Sequence, residues 1–312
     1  MMKQIVAVEP LEHKGIINFK KGVYDAWKRM GGKTKSPHYP WGRLKGWAYK
    51  YELPLLPKSK KEARLRFIEP ITRKLDSFPD YARYEIVPLV WDCWPCLDNR
   101  MSAWLRKHQV KTAIFTSRQN AERIQERFPE MKILTITEGI DICKYTEGKS
   151  LMERSIDLLE FGRSNEAVFK AALPESVHHV CTKVNGKFIF SDEELFQALG
   201  DTKITLALPR CDTDPEIAGD VETLTQRYWE NMLSRIVMVG RAPRELIELI
   251  GYDPVINLDK NNPNGQIQDI LLHIEDYQDL VDKNRQTALH LADWSLRIDE
   301  IRHFLIECGY RV

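Results

Sequence analysis

The chain has 312 residues, 43% hydrophobic and 29% charged, with a formal net charge of +1. That length exceeds one ordinary hydrophobic core and predicts two domains of about 150 residues. No stretch approaches the ~18 uninterrupted apolar residues of a membrane span, and the apolar run within Met1–Pro10 is too short for a signal peptide. Six cysteines with one close pair suit a reducing cytoplasm better than a disulfide framework. The charge is unevenly spread. Residues 14–74 hold 17 Lys/Arg against 4 Asp/Glu, whereas the remainder holds 29 against 41. Trp27, Tyr39, Trp41, Trp47, Tyr49 and Tyr51 are interleaved with the basic run. Such a run suits anionic lipid headgroups or a phosphorylated acceptor, and its plainer reading is a solvated, lysine-rich face. Without an RNP segment or zinc-finger spacing, no nucleic-acid partner is expected.

In chain order, Gln4–Val8 reads as a strand and Lys20–Arg29 as a helix ended by Gly31-Gly32, with His13 in the loop between them. Prolines and aromatics make 33–75 an excursion, irregular to Pro57 and then helical over Glu62–Leu75. Tyr84–Trp91 is a strand ending in Asp92, Met101–His108 a helix, Thr112–Thr116 a strand, Arg118–Arg127 a helix and Lys132–Thr137 a strand. This alternation predicts an α/β, doubly wound parallel sheet. Glu138–Tyr145 and the polar Thr146–Arg154 read as a crossing, which divides the chain into 1–145 and 146–312.

A second alternating series follows. Ile156–Phe161 is a strand, Asn165–Ala172 a helix, and Val177–Val184 with Phe188–Phe190 a short strand pair. Asp192–Leu199 is a helix and Ile204–Leu208 a strand. Past the central segment described next, Arg244–Leu249 is a helix, Val255–Leu258 a strand, Gln266–Leu289 one long helix and Trp294–Cys308 a closing helix of the second domain.

Residues 219–241 organise this half. Thr223 and Gln226 have the spacing of a capping box, which predicts a helix from Leu224. Glu222 then lies in the entry loop and Glu230 on the second turn, so the two carboxylates can meet different ends of one elongated ligand. The first amides of such a helix, around Thr223, Leu224 and Thr225, suit a phosphate. A sugar nucleotide satisfies the arrangement, with Ile236–Val239 as the strand that closes the unit. The plainer account is a capped surface helix with two solvated glutamates.

The run Glu222-Thr-Leu-Thr-Gln-Arg-Tyr-Trp-Glu230, continued to Gly240, resembles the donor-site segment of group-1, family-4-like GT-B glycosyltransferases. Asn231 and Arg235 stand where that family writes a small residue and a glycine. Ser155–Arg163 resembles its apolar strand ending in Gly-Arg, and Glu138-Gly-Ile-Asp141 its exit from the first domain. The resemblance implies a GT-B fold of two Rossmann-like domains, the first for the acceptor and the second for the donor, facing across a cleft. It implies transfer of a sugar from a nucleotide-diphosphate sugar to an acceptor hydroxyl, with retention of configuration and no bound metal or other cofactor. Glu222 would hold the donor sugar, Glu230 the ribose, and Arg163 the diphosphate, with Lys170 the nearest lysine to the family's own. Arg210, at the carboxyl end of a strand, is a second phosphate partner. Asp92 would orient or deprotonate the acceptor hydroxyl, with His13 as its competitor. A carbohydrate or lipid-linked acceptor, polysaccharide or glycolipid assembly, and peripheral contact with the inner membrane face through 14–74 complete that expectation.

Two other signals compete. Asp92-Cys93-Trp94-Pro95-Cys96 follows a strand and precedes a helix, as a redox Cys-x-x-Cys does, and would make the chain a thiol-disulfide oxidoreductase. Asp212-Thr213-Asp214 has the form of a metal-holding D-x-D and reads here as a turn. A non-catalytic scaffold docking its basic region on an anionic surface is the remaining alternative.

Overall fold

Two parallel sheets, each built by strand–helix alternation, make up the molecule. The structure is a computed structural model that describes residues 2–10, 19–36, 57–71, 77, 79–162, 173–184 and 187–312. His13, Arg163, Lys170, the helix expected at Asn165–Ala172 and much of the basic excursion lie outside the described residues.

The first sheet contains β1 (Lys3–Val8), β2 (Thr34–Lys35), β3 (Glu62–Ile68), β4 (Glu85–Val90), β5 (Thr112–Phe115) and β6 (Lys132–Thr135). The second contains β7 (Ile156–Glu160), β8 (His179–Cys181), β11 (Thr202–Ala207), β12 (Val237–Gly240) and β13 (Val255–Asn257), while β9 (Lys183–Val184) and β10 (Lys187–Phe188) form a separate antiparallel pair. The chain's last strand, β14 (Tyr310–Arg311), returns to β1. The orders are β14-β1-β3-β4-β5-β6, with β2 also on β1, and β13-β12-β11-β7-β8, with every pairing in both sheets parallel. Parallel sheets need both faces covered, which is why their strands read as near-continuous apolar runs.

Three expectations are corrected. Glu62–Leu75 was expected to be helical on its Glu, Ala, Arg and Leu content, but Glu62–Ile68 is a central strand between β1 and β4. Its alternation is period two: Ala63 and Leu65 enter one core, with Phe67 packed against it, while Arg64 and Arg66 point to the other face. Both arginines are buried, Arg66 paired with Asp80 at 3.1 Å and Arg64 with Glu62 at 2.9 Å and stacked over Tyr84. Charge thus disguised a buried strand. Lys20, from the same basic run, is likewise buried against Glu69 at 2.7 Å rather than solvated.

The long helix expected at Gln266–Leu289 is two, Pro263–Leu272 and Gln278–Leu291, separated by a 3-10 turn at Ile274–Tyr277. The turn sends Ile274 into the second sheet's core and lets the later helix lie along Gln226–Leu233. Finally, the Trp294–Glu307 helix does not finish the second domain. Trp294, Ile298, Ile301 and Leu305 form one apolar stripe, and it packs with Ile5, Val23 and Trp27 against the first sheet. The chain therefore crosses between the halves twice, side by side: Ile140 N–H donates to the Ala292 carbonyl at 2.8 Å, and Trp294 N–H to the Ile140 carbonyl at 3.2 Å. No helix among the described residues is long and apolar enough to cross a membrane.

His108, which follows the helix Asp98–Lys107, is stacked on Trp104 and buried. Its Nδ1 donates to the Trp104 carbonyl at 2.8 Å, so Nε2 accepts from the Ser77 hydroxyl at 2.9 Å. Burial pushes its pKa down from 6.5 to about 4. The unfolded chain therefore binds the extra proton first, and this contribution to stability is present above pH 6.5 and lost as pH falls towards 4. The loss amounts to at most about 3 kcal/mol. Urea unfolding at pH 7 and pH 4.5 is expected to show a smaller pH difference in His108→Phe than in the parent. Equal pH slopes would rule the assignment out.

Candidate functional site

Open α/β sheets bind ligands at the carboxyl ends of their strands, and here those ends meet. After β4 the chain runs through Asp92 to Trp94–Leu97, and after β5 through Ser117 to the helix Arg118–Arg127. Beyond β6 lies Glu138. From the second half come the segment after β11, residues 208–222, and Gly240–Arg244 after β12. Trp94 is buried with Ala218 and Val221 in a small apolar cluster that joins the halves. Gln119 Oε1 accepts from the Glu222 N–H at 2.7 Å, and Glu245 Oε1 accepts from the Arg118 N–H at 2.7 Å. Behind this contact lies a pocket of about 550 Å³ lined by Arg118, Thr137, Glu245, Glu248 and Arg297. A larger hollow of about 880 Å³, near Glu122, Met131 and Phe304, is on the outer side and away from these carboxyl ends.

The central helix spans Gln226–Leu233, not from Leu224, and Thr225 takes the N-cap position without a side-chain cap. The expected capping box is absent because Gln226 Nε2 is drawn across the crossing to the Gly139 carbonyl, 2.8 Å away. One of the amides expected to face a phosphate, and the next but one along the chain, already have carboxylate partners. Leu224 N–H donates to Glu245 Oε2 at 3.2 Å and Gln226 N–H to Glu138 Oε2 at 3.1 Å. Leu224 and Thr223 are themselves buried. The apolar face of the helix, Tyr228, Trp229, Met232 and Leu233, fills the core, and Trp229 Nε1 donates to the Glu138 carbonyl at 2.9 Å. Packing against the crossing, rather than the local cap, decides where this helix begins.

Glu222 stands in the entry loop as expected. Its carboxylate accepts from Arg241 Nη1 at 2.8 Å and from the Arg244 N–H at 2.9 Å. Burial pushes this carboxyl up, but the Arg244 amide and the Arg241 guanidinium outweigh it and hold the pKa below the ordinary value. Glu222 is therefore an ionised, fixed acceptor whose remaining lone pairs are available to hydroxyl donors. Arg241 also forks onto Asp212, at 2.7 and 2.9 Å. Asp214 pairs with Arg210 at 3.0 Å. The Asp212-Thr213-Asp214 run, read as a turn, sits in and just beyond a short helix, Arg210–Thr213, with both carboxylates held by arginine. Arg210 is additionally 5.1 Å from the Trp94 ring, so it closes the crevice wall.

Glu230, expected to hold ribose, is more enclosed than an open carboxylate. Its carboxyl is buried and accepts from the Tyr145 hydroxyl at 3.0 Å, and burial pushes its pKa up. In this arrangement it braces the crossing at Tyr145. Asp92 ends β4 with φ of 49°, a left-handed backbone that non-glycine residues rarely adopt and that is frequent at functional sites. It faces Glu138, which burial, then the charge of Asp92, pushes well above the ordinary carboxyl range. A buried acid whose proton is held more tightly than usual thus sits within electrostatic reach of the acid that ends β4. Arg235, at the position where the family writes glycine, also has a positive φ, 56°, and bridges Asp282 and Glu147.

Glu245, Arg241 and Arg227 stand outside the site expected from the sequence, and Glu138 reads there only as the start of the exit from the first half. Arg241 carried a signal: Gly240-Arg241 repeats, after β12, the Gly-Arg pair already noticed after β7. Arg227 carried none. It lies one position inside the helix, 5.4 Å from the Phe161 ring, and makes no hydrogen bond or ion pair among the described residues. A Cβ built on Gly162 would lie 2.0 Å from its Nη2, so the guanidinium rests on the turn that leads to Arg163.

The thiol reading does not survive the geometry. Burial, then the charge of Asp98, pushes the Cys93 thiol up to about 12, the opposite of a reactive thiolate, and both Cys93 and exposed Cys96 are free thiols. Cys96→Ser is expected to leave turnover unchanged, as measured by product formation; loss of turnover would restore the redox reading.

No protein-family model and no curated sequence relative matches the chain. Solved structures do. Anabaena HepE in complex with UDP and glucose matches with a TM-score of 0.65 and 12% identity, over 98% of this chain and 100% of that one. Sucrose-phosphate synthase from Thermosynechococcus elongatus matches with a TM-score of 0.59 and 11% identity, over 98% and 100%. AviGT4, a glycosyltransferase involved in avilamycin A biosynthesis, matches with a TM-score of 0.53 and 12% identity, over 99% and 98%. The chain has the GT-B fold along nearly its whole length.

Proposed function

We propose that this GT-B chain transfers a sugar from a nucleotide-diphosphate sugar to an acceptor hydroxyl in the crevice between its sheets. One observation carries the reading. The carboxyl ends of both sheets converge there, in an architecture shared end to end with HepE, whose structures hold UDP with glucose and UDP-glucose. In this reading Arg227 and the Gly162 turn take the diphosphate, joined by Arg163, and a guanidinium fork suits its oxygens. Glu222 accepts from hydroxyls of the donor sugar. The bond between the anomeric carbon and the diphosphate oxygen breaks while the acceptor oxygen bonds to that carbon, and Asp92, beside buried Glu138, receives or orients the acceptor proton. Stabilising the departing diphosphate is the main catalytic contribution, through fixed cations. Retention of configuration, transfer without a metal, and a carbohydrate or lipid-linked acceptor belong to the same proposal.

A thermal-shift panel of UDP, GDP, ADP and CDP sugars tests it. Ligand at about 100 times its Kd adds roughly 2.7 kcal/mol to stability. A UDP sugar is expected to raise Tm, and Glu222→Ala to keep nucleotide binding but lose transfer. A chain that none of the four stabilises defeats the proposal, and normal turnover in Glu222→Ala removes that residue's role.

A further inference from the structure

The carboxyl ends of β7 and β8 bring together an oxygen, a nitrogen and a sulfur ligand from Glu160, His179 and Cys181. The three candidate ligand atoms lie within 4.8 Å of one another. The register explains the cluster. Glu160 is paired with Cys181 and Leu158 with His179, so all four side chains lie on one face of the parallel sheet. Leu158 belongs to the core under that face, whereas Leu159 lies in the opposite core with Tyr228 and Trp229. The trio is therefore on the other side of the sheet from the Gln226–Leu233 helix, two residues before Gly162.

His179 Nε2 is 3.0 Å from Glu160 Oε1 and 3.5 Å from Cys181 Sγ. A ring nitrogen has either one hydrogen or one lone pair, directed along a single line, so it cannot serve both neighbours fully. An ion between them serves all three. With Zn–N near 2.0, Zn–O near 2.1 and Zn–S near 2.3 Å, tetrahedral edges come to about 3.3 Å for N···O and about 3.5 Å for N···S. The separations are close to those edges. Mixed thiolate, imidazole and carboxylate donors favour a borderline ion over calcium or magnesium, which take oxygen ligands.

We propose that Glu160, His179 and Cys181 form a three-ligand site for a zinc-type divalent ion, with solvent in the fourth position. The Cys181 thiol gives up its proton to solvent on binding, and the ion ties edge strand β8 to β7 just ahead of the Gly162 turn. The site does not depend on the glycosyl-transfer reading, since its residues face away from the Gln226–Leu233 helix.

The test uses the full chain, freed of metal with a chelator and titrated with Co2+ and Zn2+. One equivalent of Co2+ is expected to produce a thiolate-to-cobalt charge-transfer band that Zn2+ displaces, and Zn2+ is expected to raise Tm and slow alkylation of Cys181. His179→Ala and Cys181→Ser should each weaken binding at least 100-fold and abolish the Tm rise, while Cys211→Ser leaves both unchanged. Two outcomes would overturn the assignment. One is the absence of uptake at micromolar metal, which leaves a hydrogen-bonded trio only. The other is uptake that persists when His179 and Cys181 are replaced together, which places the ion on other residues.

Discussion

Arg227→Ala is expected to weaken UDP binding about 100-fold while leaving the folded state as stable as before. The two halves of that expectation have separate causes. A charged hydrogen-bonding group that faces an anion contributes roughly 1.5–3 kcal/mol, and 2.7 kcal/mol is a factor of about 100 in Kd. Stability is spared because the guanidinium has no hydrogen bond or ion pair to lose among the described residues. Burial already lowers its pKa, with the charge of Glu230 opposing, so holding this cation costs the fold something in the absence of an anion. Arg227→Lys should recover part of the affinity, because an ammonium keeps the charge but cannot fork onto two oxygens. Isothermal titration with UDP, paired with urea unfolding, measures both halves. Unchanged affinity in Arg227→Ala would show that the diphosphate lies elsewhere, whatever becomes of the rest of the donor site.

The second large effect is on folding. Gly240→Ala should destabilise the chain by about 3 kcal/mol or more, because the added methyl group cannot be accommodated by a rotating side chain. Gly240 is the last residue of β12, paired with Ala207 of β11, at φ of 151°. A Cβ there would meet the Ala207 carbonyl oxygen at 2.0 Å and its carbon at 2.7 Å, both backbone atoms in a buried sheet. Relief would require the two strands to part at the end that positions Arg241 and, through it, Glu222. Gly251→Ala is the control: at φ of 80° it carries the same kind of backbone strain, but a Cβ there has nothing within 4 Å, so the difference between the two reads the clash alone. Soluble yield and urea midpoints compare the two. If Gly240→Ala costs no more than Gly251→Ala, the strand contact is looser than the geometry says.

Apolar runs alternating with amphipathic helices were enough for two parallel sheets, because parallel strands covered on both faces are mostly apolar and their crossovers are usually helices. Arg118–Arg127 was expected and is found at those bounds. Glu222 ahead of a helix and Asp92 at a strand's end were equally legible, as they follow from element order alone. β3 was not legible, since Arg64 and Arg66 count as surface residues until Asp80, from another part of the chain, is placed beside them. The assignment of Trp294–Glu307 to the wrong half has a related cause: an apolar stripe states that something covers it, not which sheet does.

Local pattern thus determined most of the elements outside β3 and the 263–291 helix pair, the parallel character of the sheets and the place of the entry-loop acid, all of which depend on neighbours within a few residues or on the strand–helix rhythm. Only the tertiary structure decided the start of the central helix, the burial of Glu230 against Tyr145, the raised pKa of buried Glu138 near Asp92 and an Arg227 without a hydrogen bond or ion pair among the described residues. Each of these is set by a partner or a loss of solvent contributed by a segment far along the chain, and the free energy of a charge depends on those surroundings more than on its own identity.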